Sequence, residues 1–462
     1  MQVTLRDGTT LSCDDEPFAG GVDGASHWSA DRLSVIKFYH QPEPWRAPGL
    51  EAILTRFNAV RDDPYWQELL CWPTGIVQSP RLGVVIPKAQ DGLKKIACFV
   101  QPKWLHYHPE DNGTYQARVR AVTRLARAMW RLHAKGLCHS DISDNNVFAN
   151  PHDGRVYVID CDGLVVPDLP YARAVVVGSD GYMAPELVAE RAHTPSVESD
   201  RHSLAVLIYQ FLLFHHPLLG RKVHDPNDSD ANETLALGER ALYVEHPTDR
   251  SNCPAALPYP ARLLGHGVNR LLQKAFVDGL HQPSRRPLPS EWERELVRLG
   301  DTIISCLNPA CSMKSFPLPE VIPFGGLRCP WCGTVMGGIR LPVLRWCSPE
   351  PGQIGVYRPD GSRKVAWPGA TVHEWHIRPN TLPGPNVDSR TLANFQMTLD
   401  TTGANRWLLV NQGLPFLEVA DPGDGWKRVR NNEAVELRPQ RQLRFGPPTA
   451  NYRVAVVDVV QM

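Results

Sequence analysis

The sequence predicts an α+β protein in which a mixed helix-and-strand part is followed by a metal-binding module and an all-β region. A length of 462 residues corresponds to about three domains. Residues 115–135 carry apolar side chains at helical spacing, which predicts an amphipathic helix that ends at Gly136. After residue 300 the chain changes character, because clustered cysteines are followed by short strand patterns between turn residues.

The charge balance and the apolar runs exclude several classes of function. Lys and Arg together number 49, as do Asp and Glu, so neither nucleic acid nor an anionic membrane is an expected partner. The N-terminus lacks the apolar segment of a signal peptide. The longest apolar run, residues 204–214, is shorter than the roughly 20 residues that span a bilayer. We therefore expect a soluble, cytoplasmic protein.

Residues 138–146 contain the stretch around which the chain is organised. His139, Asp141 and Asn146 follow the pattern H-x-D-x-x-x-x-N. In this pattern the Asp accepts the proton of an attacking hydroxyl, and the Asn holds a metal ion on nucleotide phosphates. A short apolar strand, residues 156–159, then leads towards the same place and can deliver a second acidic ligand.

Further motifs follow the order that is typical of one enzyme family. They are the strand that contains Lys37, the Gly-Ser-Asp-Gly-Tyr-Met-Ala-Pro-Glu segment at 178–186, Asp200 before an apolar run, and Arg286. From about residue 15 to 300 the chain resembles a eukaryotic-like protein Ser/Thr kinase. The resemblance implies a bilobal protein-kinase-like fold, with an N-lobe at 1–88 and a C-lobe at 89–300. It also implies that Arg286 pairs with the Glu of the Ala-Pro-Glu motif.

A narrower resemblance is to the bacterial kinases of the tellurite-resistance-associated phosphorylation triad. It rests on residues 18–24, on Cys-Trp-Pro-Thr-Gly at 71–75 and on residues 199–206. In that group the kinase accompanies a von Willebrand A-domain protein and a metal-dependent phosphatase, which are therefore the implied partners.

The resemblance assigns a nucleotide site to the N-lobe. The expected contacts are Gly20, Gly21, Gly24, Lys37, Glu51 and the backbone around Ile86. Glycines let backbone N–H groups approach phosphates without a Cβ in the way. Lys37 is expected to hold the phosphates and to pair with Glu51 of the next helix, while Ile86 lies where the chain would meet the adenine edge.

The C-lobe is expected to supply catalysis and magnesium binding. Asp141 would orient the hydroxyl, and Asn146 and Asp160 would bind Mg²⁺. Asp160 is preferred over the alternative, Asp162, because the preceding strand points it inward. The loop departs from the family pattern at Ser140, which replaces an Arg that binds an activating phosphate. It departs again two residues after Asp141, where Ser143 replaces a Lys that contacts the transferred phosphate.

Residues 301–340 are predicted to form a zinc ribbon. The ligands are Cys306, Cys311, Cys329 and Cys332. Thiolates a few residues apart can reach one tetrahedral ion, and Gly333 after the second pair permits a tight turn. The chain has 11 cysteines, and an odd number with one tight cluster indicates a reduced compartment rather than a disulfide framework.

Residues 341–462 are predicted to be a β-sandwich. A hairpin is expected around Asp360-Gly361, and short strands follow. The ending resembles a forkhead-associated domain, but it lacks a Gly-Arg followed by Ser-x-x-His, so phosphopeptide binding stays open.

The leading interpretation is an active protein Ser/Thr kinase that transfers the γ-phosphoryl of Mg-ATP to a protein hydroxyl, in a bacterial stress-response signalling system. The cofactors would be ATP, Mg²⁺ and Zn²⁺. One alternative is a nucleotide-binding pseudokinase scaffold, for which Ser143, the loose glycine pattern and the open assignment of Glu51 argue. A second alternative is a small-molecule phosphotransferase, and the segment 178–186 argues against it because protein kinases use it to dock a polypeptide.

Overall fold

The structure is a computed structural model that divides into two compact units, Met1–Glu293 and Arg294–Met462. It describes residues 1–21, 23–41, 44–61, 63–100, 107–169 and 178–462. In these residues, no helix combines the length and the apolar character that crossing a membrane requires.

The first unit begins with an antiparallel sheet. Its strands are β1 Gln2–Leu5, β2 Thr10–Ser12, β3 Ala19–Gly20, β4 Gly24–Trp28, β5 Ser34–Tyr39, β6 Gly75–Ser79 and β7 Gly83–Pro87. They lie in the order β2-β1-β6-β7-β5-β4-β3. Side chains of β5 alternate between two apolar clusters: Ile36 and Phe38 pack on one face, and Tyr39 packs on the other. Lys37 therefore shares the face of Tyr39, because residues two apart on a strand point the same way.

Helices and a small sheet make up the rest of the first unit. The helices are α1 Arg46–Thr55, α2 Ala97–Val100, α3 Tyr115–His133, α4 Pro185–Val188, α5 Val197–Leu213, α6 Ser229–Leu237, α7 Gly265–Gln273 and α8 Pro289–Gly300, which runs on into the second unit. Single helical turns of other types lie at Pro64–Glu68, Pro109–Asp111, Cys161–Gly163, Ala261–Leu264, Lys274–Asp278 and Pro283–Arg285. The small sheet has the order β10-β9-β8, with β8 Lys94–Lys95, β9 Val147–Ala149 and β10 Val156–Val158.

Helices α3 and α5 pack together and frame the predicted catalytic loop. The Thr114 hydroxyl caps α3 by accepting the backbone N–H of Ala117 at 3.1 Å. Beyond its C-terminus, Gly136 adopts a positive φ of 74°, which glycine tolerates. The predicted helix and its terminal glycine are confirmed. Helix α5 begins after Ser196, whose side chain accepts from the backbone N–H of Ser199 in a reciprocal cap.

The second unit is rich in antiparallel strands. They are β11 Ile303–Ser305, β12 Ser315–Pro317, β13 Arg340–Pro349, β14 Tyr357–Val365, β15 Thr371–Val372, β16 Ala393–Leu399, β17 Asn405–Asn411, β18 Glu418–Ala420, β19 Lys427–Arg428, β20 Ala434–Glu436, β21 Gln442–Arg444 and β22 Val454–Gln461, with one short helix, α9 Glu374–Ile377. Strands β11 and β12 pair with each other; the larger sheets have the orders β14-β13-β22-β21-β18-β19 and β15-β16-β17-β20.

Both larger sheets contribute side chains to one apolar core. Trp346 and Leu443 come from the six-stranded sheet, and Phe395 and Leu409 come from the four-stranded sheet. A shared core between two sheets is the arrangement of a β-sandwich. The mixed first unit and the β-rich second unit confirm the α+β class, whereas the boundaries of the four predicted domains stay predictions.

The predicted hairpin turn at Asp360-Gly361 was wrong. Both residues lie inside β14, which pairs with β13, and the turn between these two strands lies at residues 350–356. The β13–β14 register shifts opposite this dipeptide, and Gly361 has a positive φ of 76°. Asp-Gly therefore forms a bulge here, because the same left-handed conformation that closes a tight turn also accommodates an extra residue in a strand.

Candidate active site

The loop after α3 carries the predicted catalytic residues, and α5 holds its backbone. The buried carboxylate of Asp200 accepts hydrogen bonds from the backbone N–H groups of His139 at 2.7 Å and Ser140 at 2.9 Å. It also accepts from the ring of His133 at 3.0 Å. Ser140 has a positive φ of 70°, which non-glycine residues rarely adopt, so these bonds maintain a strained loop.

Asp141 and Asn146 are in direct contact. The Asn146 amide donates to Asp141 Oδ2 at 2.7 Å and to the Asp141 backbone carbonyl at 3.0 Å. The other carboxylate oxygen, Oδ1, accepts the backbone N–H of Ser179 at 2.9 Å. Asp141 is thus oriented from two sides, and the amide oxygen of Asn146 is the atom that could bind a cation.

Strands β9 and β10 bring Asp160 to this loop. The backbone N–H of Ile159 donates to the carbonyl of Asn146 at 2.9 Å, and the ring of His139 donates to the carbonyl of Ile159 at 2.8 Å. Asp160 follows with a positive φ of 66°, so the chain turns sharply as it leaves the strand. A left-handed aspartate at this point is typical of a functional site where surrounding contacts maintain the strain.

Lys37 lies between two carboxylates of the segment after β10. Its Nζ donates to Asp160 Oδ1 at 2.5 Å and to Asp162 Oδ2 at 3.0 Å. Burial lowers the pKa of Lys37, but the charges of Asp162 and Asp160 more than offset this and keep the pKa above its ordinary value. Burial by itself would raise the pKa of Asp160. The positive charge of Lys37 outweighs this effect and holds the pKa of Asp160 below its ordinary value. Lys37 and Asp160 are therefore charged near neutral pH.

The structure contradicts the predicted pairing of Lys37 with Glu51. Glu51 instead forms an ion pair with Arg6 at 2.8 Å, and its side chain is 61% exposed. Helix α1 buries Arg46, Leu50 and Ile53, which are four and three residues apart and so lie on one face. Glu51 follows Leu50 and points away from that face, so it cannot reach Lys37 without rotation of the helix.

Two residues of this site were missed from the sequence, Tyr39 and Arg46. The hydroxyl of Tyr39 donates to Asp162 Oδ2 at 2.8 Å, and burial raises the pKa of Tyr39 well above its ordinary value. The guanidinium carbon of Arg46 lies 4.2 Å from the centroid of the Tyr39 ring. The available signal was strand alternation, since Tyr39 is two residues after Lys37 on β5.

The glycines of the predicted phosphate loop have different surroundings. Gly20 and Gly21 are exposed, and a Cβ added there would meet no atom within 4 Å. Gly24 is buried, and a Cβ added there would lie 2.3 Å from the backbone oxygen of Phe38. The absence of a side chain at Gly24 is therefore required by the β4–β5 pairing, while Gly20 and Gly21 leave the hairpin open for a ligand.

Ile86 lies in β7, where it pairs with Val35 of β5. It is partly buried and packs against the cluster of Tyr39 and Leu50. Its predicted contact with adenine stays a prediction.

The segment 178–186 is tied to the rest of the first unit by an ion pair. Glu186 accepts two hydrogen bonds from the buried guanidinium of Arg286, at 2.8 and 2.6 Å. Such a bidentate pair fixes both position and orientation. The predicted partnership of these two residues is confirmed.

Ser143 does not provide a cation to the site. Its side chain is fully buried, and its hydroxyl has no hydrogen-bond partner within the described part of the chain. Among the described residues, the cation beside the Asp160 carboxylate is Lys37.

The four predicted zinc ligands converge in the second unit. Their sulfur atoms all lie within 4.8 Å of one another, with 3.6 Å between Cys306 and Cys332 and 3.7 Å between Cys311 and Cys329. Four thiolates about 2.3 Å from a central ion would be about 3.8 Å apart, so the residues fit a tetrahedral metal. Burial raises the pKa of Cys329, so a bound cation would favour the thiolate form of this residue.

Comparison with known proteins finds similarities within the first unit. Residues 100–272 match the family model described as protein kinase domain. The chain is 31% identical over 170 residues to Protein kinase C-like 2 of Schizosaccharomyces pombe, a match that covers 36% of this chain and 16% of that protein. It is 36% identical over 91 residues to the Probable serine/threonine-protein kinase RTK1 of Saccharomyces cerevisiae, covering 19% of this chain and 14% of that protein.

A longer match is to Protein kinase C eta type of Mus musculus. It has 25% identity over 196 residues and covers 40% of this chain and 24% of that protein. The chain thus spans less than a quarter of each of these relatives. The matches show that residues 100–272 of the first unit are similar to a protein kinase domain, and one of the matched relatives is named as a probable serine/threonine-protein kinase.

Proposed function

We propose that this chain, whose residues 100–272 match a protein kinase domain, transfers the γ-phosphoryl group of Mg-ATP to a Ser or Thr hydroxyl of a protein. The observation that carries the proposal is the orientation of Asp141, whose two carboxylate oxygens accept from Asn146 and Ser179. An acceptor fixed in this way can align a hydroxyl and take its proton during phosphoryl transfer.

The surrounding residues fit a magnesium–nucleotide complex. Mg²⁺ prefers oxygen ligands, and the amide oxygen of Asn146 and the partly exposed carboxylate of Asp160 would hold it. When bound, Mg-ATP would supply the γ-phosphoryl group, and its magnesium ion would neutralise the negative charge of the phosphates. Lys37 would bind phosphate oxygens, and the open hairpin at Gly20 and Gly21 would let backbone N–H groups approach them.

A polypeptide substrate is favoured over a small molecule. The segment 178–186 is held by the Glu186–Arg286 pair and contacts Asp141 directly through the N–H of Ser179. A fixed segment beside the catalytic acceptor can dock an extended peptide, whereas a small-molecule phosphotransferase has no need of it.

The competing function is a nucleotide-binding scaffold without catalysis. Three observations favour it: Ser143 is buried, Glu51 is exposed, and Lys37 is paired with two carboxylates. Purified protein with labelled ATP, alone and with the proteins encoded beside it, separates the two. Label on protein from the wild type, and none from Asp141→Asn, would support the kinase. ATP binding without transfer by either protein would establish the scaffold.

We also propose that the four cysteines bind one structural Zn²⁺. Four sulfur ligands complete a tetrahedral shell and leave no position for a reacting water molecule. The metal would therefore stabilise residues 306–332 and take no part in phosphoryl transfer.

The biological setting is proposed from the motifs alone. Residues 18–24, 71–75 and 199–206 support a role in a bacterial stress-response system associated with tellurite resistance. The partners would be a von Willebrand A-domain protein and a metal-dependent phosphatase. The test is co-purification of the full chain with each co-encoded protein, and the absence of complexes and of phosphorylation would refute it.

A further inference from the structure

We propose that Asp162 is the residue that positions Lys37 against the nucleotide phosphates, and that Tyr39 holds Asp162 in place. Helix α1 supplies no carboxylate for this task. The proposal rests on the proposed nucleotide-binding function and adds a positioning residue to it.

The two partners of Lys37 differ in what surrounds them. The side chain of Asp160 is 34% exposed, whereas that of Asp162 is 1% exposed. Asp160 also lies where a metal ligand is needed, directly after Ile159, whose backbone N–H bonds the carbonyl of Asn146. When a metal–nucleotide complex occupies the cleft, Asp160 is the carboxylate that turns towards it. Asp162 is enclosed by protein and keeps its bond to Lys37.

Tyr39 fixes the carboxylate that Lys37 contacts. The Tyr39 hydroxyl and the Lys37 ammonium both donate to Oδ2 of Asp162, at 2.8 and 3.0 Å. Both donors project from the same face of β5, and Tyr39 is itself buried. Strand β5 therefore carries both Lys37 and Tyr39, and Tyr39 holds Asp162, the counter-ion of Lys37.

Helix α1 contributes a cation instead of an acid. The residues on its buried side are Arg46, Gly49, Leu50, Ala52 and Ile53. Arg46 stacks on the Tyr39 ring, and its Nη2 donates to Asp23 at 3.3 Å. Helix α1 thus contacts the ring of Tyr39 through Arg46 and presents no carboxylate to Lys37. The carboxylate that pairs with Lys37 has to come from another element. Asp162 meets that need.

The test compares four variants of the full chain: Asp162→Asn, Tyr39→Phe, Glu51→Gln and Asp160→Asn. The measured quantities are the dissociation constants of ATP and adenosine, the magnesium dependence of ATP binding, and the melting temperature. Adenosine lacks the phosphates that Lys37 would contact, so its dissociation constant measures binding by the rest of the pocket, independently of Lys37.

We expect Asp162→Asn to weaken ATP binding by about 10- to 100-fold, the range of a lost charge-assisted hydrogen bond, with adenosine binding unchanged. Tyr39→Phe should weaken ATP binding by about 3- to 10-fold, since it removes one neutral donor. Glu51→Gln should stay within about twofold because Glu51 is exposed and bonded to Arg6. Only Asp160→Asn should raise the magnesium concentration that ATP binding requires.

Several results would overturn the proposal. One is equal weakening of ATP and adenosine by Asp162→Asn, which would indicate general unfolding of the pocket. Another is a loss of ATP affinity in Glu51→Gln that is as large as the loss in Asp162→Asn. If Asp162→Asn fails to fold, unchanged ATP binding by Tyr39→Phe would overturn the role of Tyr39 and with it the positioning of Asp162. A wild type that binds ATP and transfers no phosphoryl group would refute the kinase function alone, whereas a wild type that binds no ATP would refute both.

Discussion

Asp141 illustrates how single side chains in this site are held from more than one direction. Asn146 and the backbone of Ser179 each bond a different carboxylate oxygen, and Asp200 separately bonds the backbone before Asp141. Orientation of this kind reduces the reorganisation that a proton acceptor needs during the reaction. In the proposed kinase function the chemistry of the loop would therefore depend on the Asp141 carboxylate, while the shape of the loop depends on the contacts of Asp200.

At the residue scale we predict that Asp141→Asn lowers the rate of phosphoryl transfer by about 10²- to 10⁴-fold, the range for loss of a positioned proton acceptor. The amide has nearly the same size, so the loop should remain folded and ATP should bind as in the wild type. Single-turnover transfer and nucleotide titration measure the two effects. Loss of ATP binding in parallel with activity would contradict the assigned role.

At the element scale, the segment 178–186 is fixed without a Lys or Arg in the loop 138–146. In the kinase pattern that the loop resembles, an Arg would stand at the position of Ser140, whose N–H here bonds Asp200. Glu186 and Arg286 anchor the far end of the segment. The segment thus has attachments that do not involve a phosphate.

We therefore predict that activity does not require phosphorylation of residues 164–184, because Ser140 lacks the two donors with which an Arg binds a phosphate. Protein treated with a phosphatase, and protein with alanine at each mapped phosphosite, should transfer phosphoryl groups within about twofold of the untreated wild type. Ser179→Ala tests the only serine of this stretch. Activity that is lost on dephosphorylation, with ATP binding retained, would refute the prediction.

The four-cysteine element lends itself to a test by metal removal. Residues 312–328 offer few apolar side chains, and two of them, Val321 and Phe324, are 80% and 110% exposed. A segment of this size rarely forms a stable core alone, and zinc binding to such peptides contributes about 10–16 kcal/mol near neutral pH.

We predict that the wild type contains one zinc per chain and that Cys329→Ser loses it. Protease cleavage should then appear within residues 306–332, while the first unit still binds ATP. Elemental analysis and mass mapping of the fragments measure this, and Cys347→Ser, at a cysteine outside the cluster, is the matched control. Wild-type protein without zinc, or a zinc-free variant that resists protease in this segment, would refute the prediction.

At the scale of the whole molecule, acid stability is set in part by a buried charge cluster of the second unit. Asp301 Oδ1 accepts from Lys364 at 2.8 Å and from His376 at 2.9 Å. Burial lowers the pKa of His376 to about 4, against an ordinary value of 6.5. His376 and Lys364 hold the pKa of Asp301 below its ordinary value despite burial.

The signs of both shifts predict acid destabilisation. Between pH 6.5 and about 4 the unfolded chain binds a proton at His376 that the folded chain does not, so unfolding becomes easier as the pH falls. The stabilisation from Asp301 is present above its unfolded pKa and is lost only at still lower pH. For His376 the effect is at most about 3 kcal/mol.

We predict that His376→Gln removes part of the pH dependence of unfolding between pH 6.5 and 4. Urea unfolding of the full chain, followed by tryptophan fluorescence at several pH values, measures the difference between variant and wild type. The change in pH dependence should appear only in the unfolding transition of the second unit. Identical pH profiles for the two proteins would contradict it.

Local patterns were sufficient for much of the site and the fold. Asp141 and Asn146 are five residues apart in one loop, so their spacing alone implies their contact. The helical period of residues 115–135 and the glycine after it predicted α3, because both signals arise within a few residues of chain. The convergence of the four cysteines was likewise predictable, since a tetrahedral site demands the spacing that the sequence contains.

The sequence by itself determined the α+β class, the contact of Asp141 with Asn146 and the cysteine cluster, whereas only the tertiary structure decided the partners of Lys37. Lys37 is separated from Asp160 and Asp162 by 123 and 125 residues, and the rotation of α1 about its axis directs Glu51 away and Arg46 inward. The Asp360-Gly361 bulge was decided in the same way, because the left-handed conformation of Gly361 suits either a tight turn or a bulge, and the pairing with β13 selects the bulge. Local conformation follows from neighbouring residues, but the side of a helix or strand that faces a site is chosen by packing over the whole unit.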